Sequence, residues 1–168
     1  MPTEISHQNV KQRIVDIFKN DTNVYPQVAE KDGKAREVYV GFPNGKETED
    51  SMEPYIFVTS ANLYETIIPE SVSQNDAFVA LEHTVRYLIV FVAQGNDARD
   101  TESQLDSMQK RIMESIENNY QLKDPVADND PLAAKSFPER VEILNPGKLL
   151  GTERQGRIIT LRCVIHTS

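Results

Sequence analysis

The stretch that decides the fold reads HTVRYLIVFVAQGNDARDTESQL and covers residues 83–105. From residue 84 to residue 93 almost every side chain is β-branched, aromatic or aliphatic. Gly95, Asn96 and Asp97 then interrupt the apolar run, and a polar segment with helical spacing follows. This pattern predicts a buried β-strand that leads directly into a helix.

The predicted strand is apolar on both of its faces. Because side chains in a strand alternate between the faces, a sheet that contains it must be covered on both. Two arrangements remain open: two helices cover one face each, or both pack on one face and a second copy of the chain covers the other. The faces carry Tyr87, Ile89 and Phe91 on one side and Leu88, Val90 and Val92 on the other.

Two segments have the apolar periodicity of amphipathic helices. One covers residues 6–19, with Ser6 as a candidate N-cap, and the other covers residues 98–119, with Asp97 in the same role. Each places its apolar residues three or four positions apart, on one face. They are Val10, Ile14, Ile17 and Phe18 in the first helix and Leu105, Met108, Ile112 and Ile116 in the second.

The remaining segments predict short strands and long loops. Strands fit residues 37–40, 54–59, 83–93, 140–144 and 157–166, whereas residues 60–82 fit either a helical turn or a strand. We therefore expect one α+β domain over residues 1–168. Its sheet is mixed but largely antiparallel, and it packs with the N-terminal helix and the long helix.

Two loops are expected to be mobile, near residues 41–53 and 120–138. The first has two glycines and four acidic residues but few apolar anchors, so it cannot bury enough surface to become ordered by itself. We expect it to order against a partner and to be the first site of limited proteolysis in the isolated protein. The second is rich in proline and in aspartate.

The net charge of −8 is concentrated in the first half of the chain. Residues 1–84 contain 7 Lys/Arg and 14 Asp/Glu, a balance of −7, while residues 85–168 contain 11 and 12, a balance of −1. Gripping nucleic acid requires clustered cations, so this balance argues against it. An acidic wall is compatible with DNA that slides past without binding.

Cys163 is the single cysteine, which excludes an internal disulfide and a paired-cysteine metal site. It alternates with Leu161 and Ile165, so we expect it to be buried on one face of the last strand. The longest apolar run is far shorter than a membrane span, and the N-terminus has no signal-peptide pattern. These features indicate a protein that is made in the cytoplasm and has no membrane segment.

Motifs for catalysis and for metal binding are weak. Residues 151–156 have the glycine spacing of a phosphate-binding loop, but they lack the following Lys and Ser/Thr, so a hairpin turn is the better interpretation. Asp124, Asp128 and Asp130 form an acidic cluster that fits a solvated loop, with cation binding as the alternative. We expect no enzyme activity, no catalytic residue, no metal and no cofactor.

The order of elements resembles that of the tail terminator proteins of tailed phages, also called tail completion or head–tail joining proteins. The resemblance covers the N-terminal helix, the segment YVGFPNGKETEDSMEPYIFV, the strand HTVRYLIVFVA and the helix DARDTESQLDSMQKRIMESIENN. It continues through VEILNPGKLL and RQGRIITLRCVIHT. The match lies in the pattern of elements and not in a catalytic signature.

This resemblance implies a structural virion protein that caps the tail tube as a homohexameric ring and joins the tail to the neck. The implied partners are other copies of the chain, the tail tube protein and the stopper protein of the neck, with DNA passing through unbound. From charge, we expect Glu47, Glu49 and Asp50 to line the channel, and we expect Phe42 and Asn44 of the same segment to line the channel or an interface with them. The alternatives are another neck component, namely a stopper or a tube subunit, and a small cytosolic ligand-binding or enzymatic domain.

Overall fold

The structure is a computed structural model, and it describes residues 5–24, 30–31, 34–35, 38–41, 54–67, 81–127, 129–144 and 154–167. Two helices are present in these ranges, α1 (His7–Asn20) and α2 (Ala98–Asn118). The strands are β1 (Glu30–Lys31), β2 (Lys34–Ala35), β3 (Val38–Val40), β4 (Tyr55–Ile67), β5 (Leu81–Gln94), β6 (Lys135–Leu144) and β7 (Arg154–Thr167).

Five of the strands form one sheet in the order β3-β4-β5-β7-β6, and β1 and β2 form a separate antiparallel pair. Within the sheet β3 runs parallel to β4, and every other neighbouring pair is antiparallel. Strand β5, which contains the apolar run, lies in the centre and pairs with β7 over its whole length, from Leu81 to Gln94. The predicted α+β fold with a mixed, largely antiparallel sheet is confirmed.

Both helices pack on the same face of the sheet. Helix α1 contacts β3 and β4, while α2 contacts β5, β7 and β6. Their apolar faces and one face of the sheet form a single core. Its largest fully buried side chains are Ile14, Phe18, Ile56, Tyr87, Ile89, Phe91, Leu105, Ile112, Ile159, Leu161 and Ile165. Of the two arrangements that the sequence left open, the structure therefore has the one with both helices on one face.

The turn from β5 into α2 is closed by hydrogen bonds. The Asp97 side chain caps the helix by accepting from the backbone N–H of Asp100, as predicted. The N–H of Gly95 donates to the Thr101 hydroxyl at 2.9 Å. A Cβ at Gly95 would lie 2.8 Å from the backbone nitrogen of Thr101, so the close approach requires glycine here. The Ser6 cap of α1 is also confirmed, with its hydroxyl accepting from the N–H of Asn9.

Several strands differ from the prediction. The pair β1–β2 was not predicted, and β7 begins at Arg154, three residues before its predicted start. In the open segment 60–82, β4 continues as a strand to Ile67, with an irregularity in its pairing between Ser60 and Tyr64. Strand β6 begins at Lys135, five residues before the predicted start, although it contains Pro138. The sheet tolerates this proline because β6 is its outermost described strand, where one side of the backbone needs no ladder donor.

The predicted mobile loops fall in different parts of the structure. Of residues 41–53, the described part is Gly41, and the proposed ordering on a partner remains a prediction. In the second loop, backbone hydrogen bonds join Leu132 to Leu122, Ala133 to Gln121 and Ala134 to Val164. These bonds connect the loop to the residues after α2 and to β7. Its mobility in solution also remains a prediction.

Candidate functional site

The residues predicted to line a channel or interface are not among those that the structure describes. Phe42, Asn44, Glu47, Glu49 and Asp50 all lie in the range 42–53. Their placement therefore stays a prediction. The surfaces that the structure does describe are the sheet face opposite the two helices, here called the far face, the outer strand β6, and the loop between α2 and β6.

One half of the far face is apolar and already mostly buried within the single chain. Tyr55, Phe57, Val90 and Val92 form a small cluster and are at most 7% exposed. These four side chains are thus buried without a second chain, and coverage of this face by a second copy stays a prediction. The partly buried residues around them are Tyr39, Leu88, Leu144 and Ile158.

The other half of the far face carries an ionic cluster. Arg86 on β5 lies directly opposite Arg162 on β7, a placement of like charges that would destabilise the sheet without an anion. Glu139 supplies that anion from β6: Arg86 Nε donates to its Oε2 at 2.7 Å, and Arg86 Nη2 donates to its Oε1 at 3.1 Å. Arg162 Nη1 lies 3.9 Å from the same Oε1.

The strand irregularity next to Pro138 explains how Glu139 reaches both arginines. The register of β6 on β7 shifts between Pro138 and Arg140, so Glu139 is the extra residue of a bulge. The bond from Arg86, together with the charges of both arginines, holds the pKa of Glu139 below its usual value. Two guanidinium groups thus share one carboxylate, and Arg162 also stacks over the Phe137 ring at 5.7 Å.

The last part of β6 exposes apolar side chains at the edge of the sheet. Ile143 is 73% exposed and Val141 is 37% exposed. Between and beside them, Arg140 and Glu142 form an ion pair within the strand, with side chains that are 69% and 41% exposed. Alternation predicted a strand at 140–144, but nothing in the local sequence indicated that it would be the outer strand.

The acidic loop between α2 and β6 is held by Arg13 of α1. Arg13 Nη1 donates to the carbonyl oxygens of Leu122 and Asp130 at 2.9 and 2.7 Å, and Nη2 donates to Asp130 Oδ2 at 3.0 Å. The Asp124 carboxylate accepts from the backbone N–H groups of the next turn, which lowers its pKa. Asp128 lies outside the described residues. Both described aspartates of the predicted cluster therefore serve as acceptors for protein donors.

The three histidines lie in three different settings. His7 bonds the Tyr87 hydroxyl at 2.9 Å, His83 bonds the Thr167 hydroxyl at 2.7 Å, and His166 lies 3.1 Å from Glu82. His166 also lines an open cleft of about 570 Å³ beside the acidic loop. Within the described ranges, no group of three His, Cys, Asp or Glu residues is arranged to hold a metal ion.

His83 makes stability depend on pH. The residue is 7% exposed, and burial lowers its pKa below the ordinary value of 6.5. The unfolded chain thus binds a proton at a higher pH than the folded chain, and the contribution of His83 to stability is lost as pH falls below about 6.5. We expect the free energy of unfolding, measured with urea, to be lower at about pH 5.5 than at about pH 7.5.

The matched variant for this measurement is His83→Gln, which keeps a hydrogen-bonding group but does not titrate. Its free energy of unfolding should change less between the two pH values than that of the natural protein. Glu139 and Asp124, whose pKa values are lowered, do not interfere, since their contributions are lost only near and below their usual values of 4.5 and 3.8. An equal change in both proteins would show that His83 is not the responsible group.

Comparison of the chain with models of known protein families finds no match, and comparison with curated protein sequences finds no significant match either. No helix in the described part of the chain is long and apolar enough to cross a membrane. Function is therefore inferred from the surfaces described above, together with the resemblance in element order.

Proposed function

We propose that this protein caps the tail tube of a tailed phage as a hexameric ring, stops tube growth and joins the tail to the neck. The observation that carries the ring is the far-face ionic cluster. It places two arginines around one carboxylate, and Lys135 lies nearby over the Phe137 ring. A local excess of positive charge on a chain of net charge −8 provides a complementary surface for the acidic part of a neighbouring copy.

Such a contact uses two different patches, one basic and one acidic. A heterologous contact of this kind closes into a ring when the rotation between neighbours permits, and closure ends growth in that plane. The two ends of the ring then differ, so that one end binds the tube and the other binds the neck. The acidic first half of the chain also suits a channel wall past which DNA slides.

The resemblance in element order favours a phage tail or neck component over a small ligand-binding or enzymatic domain. A neighbouring neck component, such as a stopper or a tube subunit, accounts for the same surfaces and is the closest alternative. A small ligand-binding or enzymatic domain is favoured by one observation, the cleft that Asp130 and His166 line together with residues of the acidic loop.

The experiment is to polymerise tail tube protein with and without this protein and to measure tube lengths by electron microscopy. We expect shorter tubes and a ring of six copies at one tube end. Arg162→Gln, which removes the charge nearer the edge of the cluster, should weaken ring formation and lengthen the tubes. Arg99→Gln, at an exposed position at the start of α2, is the matched control and should behave as the natural protein. Tubes of unchanged length with the natural protein would contradict the capping function.

A further inference from the structure

The second half of β6 is a regular, exposed strand edge. Residues 140–144 pair without interruption with residues 160–156 of β7, and β6 is the outermost strand on that side of the described sheet. The first half of the same strand contains Pro138 and the bulge at Glu139, two features that prevent pairing with another chain. The second half contains neither, and it exposes Val141 and Ile143.

We propose that residues 140–142 of this edge pair with the same residues of a second copy of the chain, antiparallel and centred on Val141. Ile143 and Leu144 then lie opposite Glu139 and Pro138 of the other copy, where the pairing ends. Two antiparallel strands from identical chains are related by a two-fold axis perpendicular to the sheet. This axis keeps the helix-bearing faces of both copies on the same side. Residues that lie opposite each other must therefore point to the same face, so the axis lies midway between the two copies of one residue, which are directly opposite each other.

Charge selects the centre. With the axis at Val141, Arg140 of each copy lies opposite Glu142 of the other, which gives two ion pairs on the far face. An axis at Arg140 would place two arginines opposite each other, and an axis at Glu142 would place two glutamates opposite each other. An axis at Ile143 would place Glu142 opposite Leu144, so that Glu142 would have no cation opposite it. The Arg140 and Glu142 side chains are 69% and 41% exposed, so both are accessible to a second chain.

The apolar side chains agree with this register. Val141 lies opposite Ile159 of β7, whose side chain belongs to the core under the helices, so Val141 points to the helix-bearing face. In the pair, the two Val141 side chains meet each other on that face. The contact is short, so we expect a dimer that depends on concentration, in the class of small and transient interfaces. The proposed dimer forms between free chains and does not depend on the proposed tail function. A ring needs two different patches on each chain, whereas this dimer uses the same patch on both chains.

Cysteine cross-linking tests the register. The natural Cys163 is buried and does not compete with an introduced thiol. Val141→Cys should form a disulfide-linked dimer under mild oxidation, because directly opposite residues bring their Cα atoms to within about 5.5 Å. Ile143→Cys is the matched control: the site is more exposed, but in this register the two copies of residue 143 are offset by four residues, roughly 13 Å. It should remain unlinked.

Charge exchange tests the partner. In Glu142→Arg and in Arg140→Glu, like charges face each other across the axis. The dissociation constant of each variant dimer, measured by analytical ultracentrifugation, should therefore be roughly tenfold higher than that of the natural protein. An equal mixture of the two variants restores both opposite-charge pairs and should recover the dimer. A natural protein that stays monomeric at all concentrations, or equally fast cross-linking at positions 141 and 143, would overturn the proposal.

Discussion

Native protein at about pH 8 should react with a thiol reagent at Cys163 roughly a thousand times more slowly than the unfolded chain does. Burial raises the pKa of this thiol from 9.0 to about 12, and the thiolate is the reactive form. The side chain is fully buried on the central part of β7, between Leu161 and Ile165. Exclusion of the reagent from the core adds to the effect of the pKa.

The rate is measured with a chromogenic disulfide reagent, first on native protein and then after unfolding in guanidinium chloride. Val126→Cys supplies a matched control, because residue 126 lies in the loop after α2 and its side chain is 84% exposed. In that variant one thiol should react at once in the native state and the second only on unfolding. Rapid labelling of the natural native protein would mean that β7 does not face the core as described.

Replacement of Phe91 by alanine should lower the free energy of unfolding by about 3–5 kcal/mol. Phe91 is fully buried in the central strand β5, on the face that the helices cover. Removing the ring deletes its contacts with the core and leaves a cavity that the strands on both sides, β4 and β7, cannot close by shifting. The loss is measured by urea denaturation followed by circular dichroism.

Val126→Ala is the control for this measurement, since it also removes apolar atoms but at an exposed position. It should change the free energy of unfolding by no more than about 0.5 kcal/mol. A loss below about 1 kcal/mol for Phe91→Ala would be typical of a loosely packed site, and it would contradict the close-packed core between the helices and the sheet.

The local sequence determined most of the secondary structure. Helix α2 was predicted within one residue at its end and with its cap, because a polar break at Gly95–Asp97 precedes a long run of apolar residues at helical spacing. The apolar run of β5 was predicted as a strand for a similar reason, since its two faces are both apolar. The burial of Cys163 also followed from alternation alone. In each case the signal is periodicity, which depends only on residues close in the chain.

The surfaces relevant to function were decided by the tertiary structure. The ionic cluster joins Arg86 to Glu139 across 53 positions of sequence, and no local pattern connects them. The early start of β6 was missed because Pro138 and the polar residues around it are typical of a loop, and an edge strand accepts them only because its outer side needs no partner. The sequence also left undecided which face of the sheet α1 and α2 cover, because β5 is apolar on both faces and either face can pack against a helix. Periodicity specifies which side chains share a face of each helix or strand. Which element packs on that face, and which strand lies at the edge of the sheet, depends on the packing of the whole chain.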